Sequence, residues 1–69
     1  MITINGESHE AAGISGRSVS EYLESAGYRP VQVAVERNGE ILPRESYAST
    51  QIEDGDQIEI VQFMGGGAI

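Results

Sequence analysis

The most chemically suggestive feature of the sequence is a run of three glycines, Gly65 to Gly67, directly after a strand-like segment. Glycine has no Cβ, so such a tail can enter a narrow enzyme channel and leaves its carbonyl carbon unshielded. The chain contains neither Cys nor Lys, which excludes covalent catalysis by a thiolate or a Schiff base. A carboxyl terminus at the glycine run is therefore the leading candidate for a reactive group, although Ala68 and Ile69 cover it.

The composition limits the classes of function. A chain of 69 residues forms one domain with little room for an enclosed active site, because even a 60-residue domain buries only ~60% of its unfolded surface. The net charge of −7, with four arginines and no lysine, argues against binding to nucleic acid phosphates. The acidic balance either serves solubility or steers the chain to basic partner surfaces.

The sequence predicts neither a membrane segment nor a metal site. No apolar stretch approaches the ~18 residues of a membrane span, and the first residues lack the pattern of a secretory signal, so we expect a cytoplasmic protein. His9 has no Cys or second His to complete a metal site. Glu53, Asp54 and Asp56 do not continue into a calcium-binding loop, and turn formation explains them better.

The first elements that could position the tail are a hairpin and a helix. Ile2 and Ile4 alternate with their neighbours, which predicts a half-buried strand, and the Asn5-Gly6 pair supplies the positive φ angles of a tight turn. The returning strand is predicted within Glu7 to Ala12.

A helix of about nine residues follows, since Ser18 and Glu21 have capping-box spacing and Gly27 stands at the C-terminal cap position. Its apolar stripe comprises Val19, Tyr22, Leu23 and Ala26.

The second half of the chain predicts further strands. Val31, Val33 and Val35 alternate along one of them, and Asn38-Gly39 forms a second hairpin turn. Ile41-Leu42 pairs back until Pro43, which has no N–H to donate.

Three more elements complete the chain. Ser46 to Ser49 is predicted to form a short turn with Tyr47 packed inward. Asp54-Gly55-Asp56 is another turn, and Gln57 to Met64 is the last strand.

The order β-β-α-β-β-β, with one helix across a mixed sheet of about five strands, is the α+β arrangement called β-grasp, or ubiquitin-like. Its last strand lies in the middle of the sheet, where Ile58 and Ile60 would face the helix. We therefore predict a β-grasp domain over residues 1–64 and a flexible Gly-rich tail over residues 65–69.

Several segments together resemble the ThiS family of sulfur carrier proteins in thiamin biosynthesis, which are relatives of the molybdopterin carrier MoaD and of ubiquitin. The resemblance extends from Ile2 to Gly67. Its most specific parts are Val33 to Glu45, with its Asn turn and Leu-Pro-Arg segment, and Ile52 to Ile60, with its Asp-Gly-Asp turn. The terminal glycines complete the pattern.

The resemblance implies that a ThiF-type enzyme adenylates the carboxylate of Gly67, which follows Gly66, and that sulfur then replaces oxygen to give a thiocarboxylate. A ThiG-type thiazole synthase would receive that sulfur. The chain has no P-loop, no G-x-G-x-x-G motif and no lysine for phosphate, so ATP and Mg²⁺ would be bound by the partner. The chain would be a substrate and not an enzyme.

The sequence departs from the family pattern after Gly67. The β-branched side chain of Ile69 would clash in a glycine-width channel. Three explanations remain open: a peptidase removes Ala68-Ile69, the dipeptide is not part of the natural sequence, or the chain is not a sulfur carrier. The other functional alternatives are a carrier for molybdopterin, cysteine, methionine or a secondary metabolite, and a ubiquitin-like interaction module with an inert tail.

A docking patch for the adenylating enzyme is predicted beside the tail. Val61 and Phe63 lie on the opposite face of the last strand from the core isoleucines, as does Ala34 on the neighbouring strand, and Met64 follows them. If the helix covers only one face of the sheet, these apolar side chains are exposed and suited to binding a partner. The alternative is a bulge near Ile60 that returns Phe63 to the core.

Overall fold

The computed structural model describes residues 1–63, so Met64 and the predicted tail at 65–69 lie outside the described residues. Five strands and one α-helix occur in the described part, in the predicted order. They are β1 (Ile2–Ile4), β2 (Glu7–His9), α1 (Val19–Ser25), β3 (Val33–Arg37), β4 (Glu40–Leu42) and β5 (Gln57–Gln62), with 3₁₀ turns at Pro30–Gln32 and Arg44–Ser46.

The strands form one mixed sheet in the order β2-β1-β5-β3-β4. The strand β5 pairs in parallel with β1 and antiparallel with β3, while two hairpins add β2 and β4 at the edges. The last strand therefore lies in the middle of the sheet, as predicted. Both hairpin turns have the expected backbone, with positive φ at Asn5, Gly6, Asn38 and Gly39.

One apolar cluster joins the helix to the sheet. The buried residues are Ile2, Ile4, Val19, Leu23, Val33, Val35, Tyr47, Ile52, Ile58 and Ile60. Val19 and Leu23 contribute the helical side of this core, and Ile58 and Ile60 contribute the central strand. Tyr47 packs inward, as the sequence predicts. Because β5 supplies core residues between two partner strands, its position is well anchored.

The ends of α1 follow the sequence signals. Both capping-box bonds form: the Glu21 N–H donates to Ser18 Oγ at 3.0 Å, and the Ser18 N–H donates to Glu21 Oε1 at 3.1 Å. Gly27 has a φ of +88°, and the Tyr28 N–H donates to the carbonyl of Leu23 at 2.9 Å. This is the Schellman geometry, in which a left-handed glycine lets the chain satisfy the last carbonyls of a helix.

The structure corrects three details of the prediction. The last strand was expected to continue to Met64, but β5 ends at Gln62 and Phe63 lies beyond it. Val31 does not belong to β3 but lies in a 3₁₀ turn with its side chain 66% exposed. This turn starts at Pro30, whose ring fixes φ and whose nitrogen cannot donate to a sheet. The helix has seven residues instead of about nine, because Ala26 is the C-cap and is exposed.

Candidate functional site

The candidate site begins where β5 leads toward the glycine run. The register between β3 and β5 continues without interruption to Val33 opposite Gln62, and the Phe63 N–H then donates to the carbonyl of Gln32 at 2.7 Å. The proposed bulge near Ile60 is therefore absent from this pairing. Phe63 is 50% exposed, so the alternative that returned it to the core is wrong.

Apolar side chains are exposed on the sheet face opposite α1, which we call the open face. Alternation along β5 buries Ile60 and directs Val61 to the open face, where it is 58% exposed. Ala34, directly opposite Val61 on β3, is half-buried. Together with the exposed Phe63, they form an apolar patch beside the start of the tail, while Met64 lies outside the described residues.

Two acidic residues are cross-strand neighbours next to this patch. Glu36 on β3 is directly opposite Glu59 on β5, and like charges in this arrangement destabilise a sheet. The ion pairs found among residues 1–63 involve other carboxylates. On the far side of Glu36, the side chain of Ile41 is 67% exposed on β4. The open face thus combines apolar surface with uncompensated negative charge.

The two hairpin asparagines also bind β5 through their side chains. Asn38 Oδ1 accepts a hydrogen bond from the Gln57 N–H at 2.9 Å, and Asn5 Oδ1 accepts one from the Ile60 N–H at 2.7 Å. These contacts hold the strand near its beginning and near its end. The Asn-Gly pairs predicted the turns, but no local signal in the sequence indicates the second role.

A buried carboxylate fixes the beginning of β5. Asp56 is 6% exposed and accepts hydrogen bonds from Arg37 Nε at 2.9 Å, Asn38 Nδ2 at 3.1 Å and the Glu53 N–H at 2.9 Å. Burial by itself acts to raise the pKa of Asp56, but these hydrogen bonds and the Arg37 charge outweigh it and hold the pKa below its ordinary value. The predicted turn is present, but no local pattern of residues indicates the buried ionic contact.

The metal-binding potential, the surface depressions and the helix lengths of residues 1–63 complete the description of the site. Among residues 1–63, no cluster of three or more His, Cys, Asp or Glu side chains could hold a metal ion. An open depression along the helix is lined by Arg17, Glu21, Glu24 and Ser25. None of the helices in the described part is long and apolar enough to cross a membrane.

Comparison with known proteins assigns the family. The family model described as the ThiS family matches residues 2–67. The chain belongs to the ThiS family. This ThiS-family chain is 36% identical over 67 residues to the sulfur carrier protein ThiS of Escherichia coli, covering 97% of this chain and 98% of that protein. Its identity to the sulfur carrier protein ThiS of Bacillus subtilis is 37%, covering 97% and 100% of the two chains.

A solved structure supports the same assignment. The crystal structure of the thiamine biosynthesis protein ThiS from Geobacter metallireducens matches with a TM-score of 0.78 and 39% identity, covering 96% of this chain and 97% of that chain. The predicted α+β, β-grasp fold is therefore confirmed.

Two larger proteins contain a similar segment. The thiazole synthases of Magnetococcus marinus and Paramagnetospirillum magneticum are 41% and 43% identical to this chain, over 66 and 67 residues. The match covers 96% and 97% of this chain but only 20% of each synthase. The chain thus spans about a fifth of the length of these relatives.

Proposed function

We propose that this chain is a sulfur carrier of thiamin biosynthesis, whose Gly67 carboxylate becomes a thiocarboxylate and donates sulfur for thiazole formation. The observation that carries the proposal is the ThiS family match, which ends at Gly67. Near full-length similarity to two proteins named sulfur carrier protein ThiS supports it. The names of the similar proteins favour thiamin biosynthesis over the molybdopterin, cysteine, methionine and secondary-metabolite pathways.

The conversion of the Gly67 carboxylate to a thiocarboxylate requires two nucleophilic displacements. A carboxylate oxygen of Gly67 attacks the α-phosphorus of ATP, pyrophosphate leaves, and an acyl adenylate results. A sulfide-level donor (HS⁻) then attacks the carbonyl carbon, AMP leaves with its electron pair, and loss of the S–H proton to solvent gives the thiocarboxylate. A ThiF-type enzyme would bind the ATP and Mg²⁺, and we propose a cytoplasmic location because the step consumes ATP. The glycines serve this chemistry because no side chain shields the reacting carbon.

The open face supplies a recognition surface for the adenylating enzyme. Val61 and Phe63 are 58% and 50% exposed and directly precede the tail, with Ala34 beside Val61 in the sheet. Interfaces gain from burying such apolar side chains at their centre. We propose that these three residues, together with Met64, dock on the ThiF-type enzyme and place the tail, residues 65–67 after removal of Ala68-Ile69, at its nucleotide.

The proposal requires cleavage after Gly67. In this sequence the carbonyl of Gly67 forms a peptide bond with Ala68, so no carboxylate is available there until that bond is broken. We propose that a peptidase removes Ala68-Ile69. The reaction would hydrolyse one amide bond and leave the Gly67 carboxylate as the new terminus.

The sulfur acceptor is proposed to be a ThiG-type thiazole synthase. Two proteins named thiazole synthase contain a segment similar to this chain. Joining a carrier-like segment to a synthase in one polypeptide keeps both at high effective concentration. For the separate chain, the corresponding partner would bind the carrier transiently and take the sulfur from Gly67.

Adenylation of two versions of the chain tests this function. One version ends at Gly67 and the other retains Ala68-Ile69, and each is incubated with a ThiF-type enzyme, ATP, Mg²⁺ and labelled pyrophosphate. We expect pyrophosphate–ATP exchange with the version ending at Gly67 and none with the other. No exchange with either version, or equal exchange with both, would contradict the assigned site.

A further inference from the structure

The parallel pairing of β1 with β5 ends in an unusual contact. The Thr3 N–H donates to the Asp56 carbonyl at 3.0 Å, and the Asn5 N–H donates to the Ile58 carbonyl at 2.9 Å. A regular parallel ladder would continue from the Ile60 N–H to the main-chain carbonyl of Asn5. Instead, the side-chain Oδ1 of Asn5 accepts this bond at 2.7 Å.

The hairpin turn explains why the side-chain oxygen of Asn5 accepts this bond in place of its main-chain carbonyl. Asn5 has a φ of +52°, so the backbone turns into Gly6 at the point where the ladder should continue. Asparagine tolerates this left-handed conformation better than most residues, and its amide oxygen can replace the lost carbonyl. Ile60 is only 7% exposed, and a buried N–H without a partner is costly. A single residue therefore makes the turn and completes the pairing.

We propose that Asn5 is a positioning residue for the tail. Its contact with Ile60 is the last hydrogen bond that the structure shows on the β1 side of β5. Beyond it, the bond from the Phe63 N–H to the Gln32 carbonyl at 2.7 Å holds the strand from the β3 side. Asn5 and Gln32 thus hold the two edges of this strand and, with them, the direction in which β5 ends. This inference rests on the proposed carrier function, because the direction matters only if the tail must reach an enzyme site.

The chain provides its own control. Asn38 makes the equivalent contact with the Gln57 N–H at 2.9 Å, at the end of β5 that is farther from the tail. Asn5→Gly and Asn38→Gly both keep a left-handed backbone available and remove the side-chain acceptor. Asn38→Gly also removes the Asn38 Nδ2 donor to Asp56, so it disturbs more contacts than Asn5→Gly and is a stringent control. Asn5→Asp keeps a carboxylate acceptor in a residue that also tolerates this conformation, and it is the rescue variant.

Two measurements on chains ending at Gly67 test the role, at a temperature where every variant is folded. In amide hydrogen exchange, Asn5→Gly should accelerate exchange at Ile60 about tenfold more than at Gln57. In pyrophosphate–ATP exchange with the ThiF-type enzyme, it should lower kcat about tenfold with little change in KM, because docking remains and orientation is lost. Asn5→Asp should restore kcat, and Asn38→Gly should stay within about twofold of the unmodified chain.

The outcomes distinguish this inference from the function on which it rests. Equal kcat values for Asn5→Gly and Asn38→Gly, or failure of Asn5→Asp to restore the rate, would overturn the positioning role alone. If the chain that ends at Gly67 and carries no substitution shows no pyrophosphate–ATP exchange, the carrier function is refuted, and the positioning role with it.

Discussion

Replacing Asp56 by Ala should remove a large part of the folding stability. The substitution deletes a buried carboxylate that accepts three hydrogen bonds and leaves the Arg37 side chain, only 29% exposed, without its partner. It acts on the turn that starts the central strand. We therefore expect the free energy of unfolding to fall more than for any exposed carboxylate.

The magnitude follows from these contacts. Hydrogen bonds to a charged group contribute roughly 1.5–3 kcal/mol each, and because three donors share one carboxylate we expect a total of about 3 kcal/mol. A chain of this length has a free energy of unfolding of about 3.5–10 kcal/mol. With an m value of about 1 kcal/mol per M in urea, the midpoint should fall by about 3 M. Urea unfolding followed by circular dichroism measures this change.

The effect should depend on pH in a defined direction. The pKa of Asp56 lies below its ordinary value in the folded protein, so its stabilisation is fully present above the unfolded pKa of about 3.9. It is lost as the pH falls through the lowered folded value. The difference in unfolding free energy between the wild type and Asp56→Ala should therefore be constant near neutral pH and shrink on acidification below about pH 4.

Asp54→Ala is the matched control. Asp54 pairs with the N-terminal amine, but its side chain is 66% exposed, and such surface pairs contribute about 0–1 kcal/mol. Equal losses for Asp54→Ala and Asp56→Ala would refute the assignment of Asp56 as the anchor of this turn. A loss for Asp56→Ala that is the same at neutral and acidic pH would refute the role of its charge.

Two further predictions concern the open face. Glu59→Gln should raise the unfolding free energy by about 0.2–1 kcal/mol by relieving the repulsion from Glu36; a gain no larger than that of Glu10→Gln, measured by urea unfolding, would show that only net charge matters. Phe63→Ser should leave the unfolding midpoint nearly unchanged, because the side chain is 50% exposed, but should weaken binding to the ThiF-type enzyme about tenfold or more in calorimetry. Loss of folding, or unchanged affinity, would contradict the docking role.

Local signals account for the parts of the fold that the sequence predicted. The turns at Asn5-Gly6 and Asn38-Gly39, and the capping box of Ser18 with Glu21, depend on residues within three or four positions of each other. All the interactions that form these turns and this cap are made within a short segment of the chain. Alternation similarly predicted which residues of β5 are buried. The position of Gly67, by contrast, came from the resemblance to a family.

The missed features depend on contacts distant in sequence. Asn5 and Ile60 are 55 positions apart, so the second role of this asparagine appears only when β5 lies beside β1. The same holds for the bond between Asp56 and Arg37. Valine alternation places Val31 in β3, but the proline before it starts a turn instead of a strand.

Intact-mass spectrometry of the protein from its native host, during growth without thiamin, tests the central claim most directly. The carrier function predicts a species that ends at Gly67 with one oxygen exchanged for sulfur, and this species should revert to the carboxylate when a thiazole synthase consumes the sulfur. Retention of Ala68-Ile69 in every species, with the adenylating enzyme and ATP present, would contradict it.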